Sequence, residues 1–409
     1  MSDTLVRAKG FLESHPMAAA VVYVMTGVLP LYLTSAQIIS LEADLGFDPG
    51  KLGFATATYF GSAALMAPTA GRFIRKHGAS PGLRLGAALA GTAAIIAALS
   101  PVWWVLPIAT AVSGVANSFM QVGTNILLVQ IAASDRQAIS FGAKQAAIPM
   151  ASSLAGVLLP VVGILIGWRW SFVFAALMAA TVGSFVPDVP LLTTERRPAR
   201  AGRAPIPRPL IFLAIAGACG GAAGNAVALF VVPSAVDVGM SEGLAGMVLA
   251  MSSTLVVVIR IGSGWLTDRR RTSGHYEMAT LLALGVIGCA FLAISTTIPL
   301  YLAAMTMAMI GSWGWPGLVY YTVTSTNSDQ PARASGVVLA GNRTGTLIGP
   351  FVVGLLANRE NYGAAWTFCG VLSAVALASM VVSGHTWRAS IEGTGQAHHP
   401  AGDMARGTT

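Results

Sequence analysis

Twelve apolar runs, each about twenty residues long, divide this chain and leave few folds open to it. They fall near residues 17–40, 51–74, 81–100, 104–131, 138–163, 168–187, 209–236, 243–266, 278–296, 299–322, 334–357 and 363–385. A helix of that length spans the hydrocarbon core and satisfies its own backbone hydrogen bonds where water is absent. The rest of the sequence is too sparse to hide so much apolar surface. Of all residues, 55% are hydrophobic and 10% charged, against about 25% charged in a soluble domain. The expected fold is an all-α integral membrane protein of twelve transmembrane helices, with the lipid bilayer as its surroundings.

Lys and Arg are shared unevenly between the two sides. With the N-terminus inside, eighteen fall in cytoplasmic segments and three, Lys51, Arg169 and Arg359, on the other side. That asymmetry predicts a multi-pass protein of the cell membrane with both termini cytoplasmic. The formal charge of +8 is then a mark of loop topology, and no nucleic-acid partner is expected. Residues 1–16 read as a polar cytoplasmic tail and not as a cleavable signal. The Pro- and Arg-rich stretch 188–208 reads as a cytoplasmic linker. It separates two six-helix halves, 17–187 and 209–385. Residues 386–409 are expected to form a disordered cytoplasmic tail.

The halves carry related motifs. GRFIRKHG (71–78) follows the second run and GWLTDRRR (264–271) follows the eighth. GWRWSFVF (167–174) and YGAAWTFCG (362–370) each place an aromatic pair two residues apart, Trp170 with Phe172 and Trp366 with Phe368. Pseudo-symmetric parallel halves are the pattern of a duplicated transporter.

With these features the chain resembles the major facilitator superfamily over nearly its whole length. The resemblance implies a two-half transporter fold with a gating motif after spans two and eight. Its positions here are Gly71, Arg75 and Lys76 in the first half, and Gly264, Asp268 and Arg269 in the second. Arg75 stands where the family usually has Asp, so the resemblance implies a latch only in the second half. The short motifs AKQAAIP and GNRTGTLIGP, with Arg260 eight residues before Asp268, are similar to those of cyanate-permease-type and oxalate/formate-exchanger-type branches.

Three cations lie inside the runs: Lys144, Arg260 and Arg343. At the helical rise they sit roughly 13, 12 and 15 Å from Asp135, Asp268 and Arg333 respectively. A charge at such depth costs about 2.5–3.5 kcal/mol on insertion scales and ordinarily has a partner. All sixteen Asp and Glu fall in loops or at span ends. The missing anion is therefore read as the substrate, held by the Arg fork and the Lys point charge in a central site between the halves. The competing reading is that these long side chains snorkel to water.

Softer polar candidates join them. Asn117 and Gln121 share a helix face with Asn125 and line either the cavity or a helix contact. Gln145, Asn225 and Asn342 are read the same way. Trp313, Trp315 and Pro316 with Tyr320 and Tyr321 form either a cavity wall or packing aromatics. Gln37 ranks below these. Cys219, Cys289 and Cys369, far apart in apolar runs, read as small hydrophobes, and the six histidines sit in loops, tails or span ends. No metal site or cofactor is expected. No phosphate-binding glycine loop is present, so no ATP partner is expected.

The expected function is secondary transport of a small anion, an organic carboxylate, by alternating access as antiporter or proton symporter. A monomer and no enzymatic activity are expected. Two other readings stand beside it. One is an exporter of neutral or amphipathic compounds with structural buried cations. The other is a non-transporting membrane sensor, which would need an appended soluble domain.

Overall fold

The computed structural model describes residues 16–129, 137–186, 206–270, 272–327, 331–357 and 362–396. Most of the predicted N-terminal tail and central linker, and residues 397–409 of the predicted C-terminal tail, lie outside the described residues. Every apolar run is helical. The first half holds α1 (Pro16–Ala36), α2 (Ile38–Leu45), α3 (Pro49–His77), α4 (Ala79–Ala98), α5 (Val105–Val129), α6 (Gln137–Leu158) and α7 (Trp168–Ser184). A π-helical turn, Leu159–Gly163, extends α6. The second half holds α8 (Arg208–Leu229), α9 (Val231–Asp237), α10 (Glu242–Arg270), α11 (His275–Ala293), α12 (Ile298–Gly314), α13 (Pro316–Thr326), α14 (Pro331–Leu356) and α15 (Gly363–Gln396). Eight described helical segments are by themselves long and apolar enough to cross a membrane. The other spans are shortened, broken or diluted by polar residues.

The breaks repeat between the halves. Helix α1 gives way to α2 at Gln37, and α8 to α9 at Phe230. Those positions lie 193 apart, the interval that also separates Gly71 from Gly264. In the second half proline marks the broken helices: it lacks the N–H that would bond the carbonyl four residues back. Pro233 leaves the Leu229 carbonyl open, and the Ser35 hydroxyl donates to it at 2.5 Å from the other half. Pro316 leaves the Ser312 carbonyl open, and Trp315 Nε1 donates to it at 2.8 Å.

The core is organised by depth. At the end of the bundle away from the termini, one apolar cluster runs through both halves, from Leu33, Leu52 and Phe172 to Phe230, Leu249 and Trp366. At the terminal end the apolar clusters are separate. Leu213, Met278 and Leu318 belong to the second half; Tyr23, Leu83 and Ile74 belong to the first. The apolar core is therefore shared between the halves at one end, while close backbone packing continues toward the other: a Cβ on Gly142 of α6 would lie 2.6 Å from the Arg260 carbonyl of α10, and one on Gly317 of α13 would lie 3.0 Å from Gly142 Cα. Glycines also make the junction close at the shared end: a Cβ on Gly53 of α3 would lie 3.1 Å from Gly354 Cα of α14. One on Gly156 of α6 would lie 2.6 Å from the Gly246 carbonyl of α10.

One sequence expectation needs correcting. Helix α15 runs to Gln396, so the first part of the tail predicted to be disordered is helical. Its extension is held against α11: Trp387 stacks on His275 at 5.8 Å, and Arg388 donates to the Tyr276 hydroxyl at 2.6 Å.

Candidate functional site

The site is built from small residues on one side of a helix and a cation on the other. In α14, Gly341, Gly345 and Gly349 recur every four residues and share a face. That face lies on α8, with a Cβ at Gly341 reaching 2.5 Å from the Ala214 carbonyl and one at Gly349 reaching 2.5 Å from the Ala222 carbonyl. Arg343 is two residues from Gly341, about 200° around the helix, so it points away from α8. Thr346, one turn further on, follows it.

Both residues line a cavity of about 70 Å³ between the halves. A single water needs about 10–15 Å³ on this scale, so there is room for several waters or a small ion. The first half contributes Tyr32 of α1, Tyr59 and Phe60 of α3, Asn117 and Gln121 of α5, and Gln145 and Ile148 of α6. The second half contributes Asn225 of α8, Arg260 of α10, Trp313 of α12, Pro316 of α13, and Asn342 and Arg343 of α14. Thus seven of the eight residues singled out in the sequence share one wall. Among the described residues no carboxylate lines it.

The three cations are treated differently. Arg260 is 1% exposed. Its Nε and Nη2 donate to the Trp313 carbonyl at 3.1 and 2.7 Å, and Nη1 donates to the Gln145 carbonyl at 2.5 Å. The Gln145 carbonyl is open because Pro149, four residues on, has no N–H. The Trp313 carbonyl is open because α12 ends at Gly314. The guanidinium also lies 5.2 Å from the Trp313 ring centre. Arg260 does not snorkel; it ties α10 of the second half to α6 of the first.

Lys144 is the predicted residue absent from the cavity wall. One position away from Gln145, it turns about 100° toward α5. There it is buried and donates to Asn125 Oδ1 and, at 3.4 Å, to the Gln121 carbonyl. Arg343 is half-buried. Among the described residues its guanidinium has no hydrogen-bond or ion-pair partner. Its charge reaches both Lys144 and the Tyr59 hydroxyl.

The amides are partly committed. Asn342 Nδ2 donates to the Gly217 carbonyl at 3.1 Å, and Asn225 Nδ2 to the Gly221 carbonyl at 2.9 Å. Two buried polar atoms on the wall have no hydrogen-bond partner among the described residues: Asn117 Oδ1 and the Tyr59 hydroxyl oxygen. Sequence reasoning passed over Tyr32 and Tyr59. A tyrosine in an apolar run carries no charge signal and looks like any packing aromatic.

Other named residues fall elsewhere. Trp315 is buried beside the wall, and Tyr321 donates at 3.3 Å to the Thr272 carbonyl. The side chain of Tyr320 lies outside the described ones. Gln37 is buried against α7, donating to Ser171 Oγ at 2.9 Å, away from the cavity. The motif residues sit at the terminal end. Arg75 and Lys76 are exposed, Gly71 is half-buried and Gly264 is buried. Asp268 lies near enough to Tyr321 for its charge to act there, and Arg269 stacks 5.2 Å over Trp265.

A sequence model of the Major Facilitator Superfamily matches residues 17–290. The Homo sapiens protein Monocarboxylate transporter 12 is 26% identical over 146 residues. That stretch covers 35% of this chain and 28% of the relative's own length.

Proposed function

The chain belongs to the Major Facilitator Superfamily, so it is a multi-pass membrane transporter and not an enzyme, and on that premise we propose that its cargo is a small anion, an organic carboxylate. The observation that carries the reading is Arg343: a cation in a shared cavity, among the described residues without a hydrogen-bond or ion-pair partner. An entering carboxylate supplies the missing charge through a bidentate pair with the guanidinium. Arg260 adds positive field at the same wall while its donors hold backbone carbonyls. Lys144 adds charge from behind Gln121. The human relative is by its name a transporter of monocarboxylates, which agrees in chemical class.

The reading takes alternating access as the mechanism, with the two halves moving about the cavity between them. In the conformation described the halves share one apolar core at the end away from the termini, and toward the terminal end they meet through glycine-lined contacts of α6 with α10 and α13. With both termini cytoplasmic, in the cell membrane, that shared core seals the cavity from the outside. Opening the other way breaks the Ser35–Leu229 bond between halves. The protein acts as a monomer without ATP, by exchange of anions or by symport with a proton.

The second reading is an exporter of neutral compounds, with the cations structural. The internal partners of Arg260 and Lys144 favour it. The two readings separate in a thermal-unfolding assay of purified protein with formate, acetate, oxalate and their neutral amides. The anion reading expects the carboxylates alone to raise the unfolding midpoint, and to do so in wild type but not in Arg343→Gln. Equal shifts by the amides favour the neutral-cargo reading.

A further inference from the structure

We propose that Tyr59 binds substrate directly, its hydroxyl and the Arg343 guanidinium forming an oxyanion clamp split between the two halves. The inference rests on the anion-transport reading and adds a residue to it. The Tyr59 side chain is 1% exposed, yet it lines the cavity. Among the described residues its hydroxyl oxygen has no hydrogen-bond partner. A buried hydroxyl left unpaired is unfavourable, and phenylalanine would fill the same volume without one. The ring itself is well placed, meeting Phe60 edge-on at 5.0 Å, so packing accounts for the ring and not for the oxygen.

That oxygen shares the cavity wall with Tyr32 and Arg343, and both act on it electrostatically. Beside a cation, a phenol turns its O–H toward an incoming anion. A carboxylate has about four acceptor sites. The guanidinium takes two in parallel, and one more is left for the Tyr59 proton. The pair therefore selects an oxyanion with several lone pairs over a spherical halide or a neutral amide. Tyr59 stands on α3 in the first half and Arg343 on α14 in the second. The two helices meet at Gly61 and Leu347, where a Cβ on the glycine would lie 3.6 Å from the leucine Cδ1. A carboxylate held by both residues bridges that seam, so its binding favours the arrangement in which α3 and α14 lie together.

The test is Tyr59→Phe, which removes one oxygen and keeps the ring. Radiolabelled formate, acetate and oxalate serve as probes in proteoliposome counterflow, beside wild type, Arg343→Gln and the double variant. The clamp predicts an unfolding midpoint for Tyr59→Phe at or above that of wild type. It predicts KM for the carried carboxylate raised about tenfold, with the maximal rate changed by less than about twofold on the same footing. In the Arg343→Gln background the same substitution adds little. Wild-type KM in Tyr59→Phe, with transport still lost in Arg343→Gln, overturns the clamp and leaves the anion reading standing. A lowered midpoint with unchanged KM also overturns it, since the hydroxyl is then structural. A wild type that carries none of the three carboxylates overturns both.

Discussion

Arg260 and Gln145 are joined across the boundary between the halves: Nη1 of the arginine donates at 2.5 Å to a carbonyl that Pro149 has left without a helical partner. A charged side chain thus replaces a backbone N–H, and does so between the two halves. Substituting Arg260 by Met leaves the Gln145 and Trp313 carbonyls unsatisfied. The expected loss of stability is about 2–4 kcal/mol, read as a lowered denaturation midpoint in detergent. Pro149→Ala, which returns the N–H to Gln145, should recover part of that loss in the double variant.

Arg343 should behave in the opposite way. Its guanidinium holds no described partner, so Arg343→Gln is expected to leave the unfolding midpoint unchanged or higher, while lowering kcat/KM for carboxylate counterflow by about a hundredfold or more. Arg343→Lys keeps the charge and loses the fork, and falls between the two. Rates and midpoints measured on the same preparations check the separation.

The Gly341 face predicts a packing effect. A methyl at Gly341 would meet the Ala214 carbonyl at 2.5 Å, and backbone cannot give way as a flexible side chain can. Gly341→Ala is expected to cost about 1–3 kcal/mol and to displace Arg343, lowering both the unfolding midpoint and transport. Gly336→Ala, which meets nothing within 4 Å, is the control and should leave both near wild type.

Asp44, outside the spanning segments, predicts a pH effect. The Trp168 N–H, at 2.9 Å, does most to hold its carboxyl below the ordinary value of 3.8; burial opposes it, and Arg169, at 3.1 Å, adds to the lowering. A depressed pKa contributes stability that is fully present above the unfolded value and is lost as pH falls through the folded one. The unfolding midpoint of wild type should fall more steeply below about pH 4 than that of Asp44→Asn, when the two are compared in parallel pH series. Because the pair is exposed, the difference should be small and should shrink with added salt.

Much of the architecture was legible because hydrocarbon leaves the backbone few options, and each apolar run had to become a helix. The gathering of Asn117, Gln121, Gln145, Asn225, Asn342, Arg260 and Arg343 on one wall followed from polar residues having nowhere else to go. What the sequence concealed was angular. Lys144 and Gln145 are neighbours in the chain, but about 100° of helix rotation sends one toward α5 and the other to the cavity. The partners of Arg260 are backbone carbonyls, which a count of carboxylates overlooks. Pro149 was visible in AKQAAIP and marks the carbonyl it frees. Tyr59 left no trace, since its distinguishing feature is a bond it does not make. The helical extension of α15 depends on contacts of Trp387 and Arg388 with α11, and long-range contacts of that kind are not local sequence properties.

The central claim is that Arg343 meets an anionic cargo, and counterflow tests it most directly. Proteoliposomes are loaded with unlabelled monocarboxylates, dicarboxylates, cyanate, nitrate or neutral sugars, and entry of the matching labelled compound is followed. The account predicts counterflow of at least one carboxylate and of no sugar in wild type, with that carboxylate counterflow lost in Arg343→Gln. Sugar-only counterflow, or equal carboxylate counterflow in the variant, would contradict it.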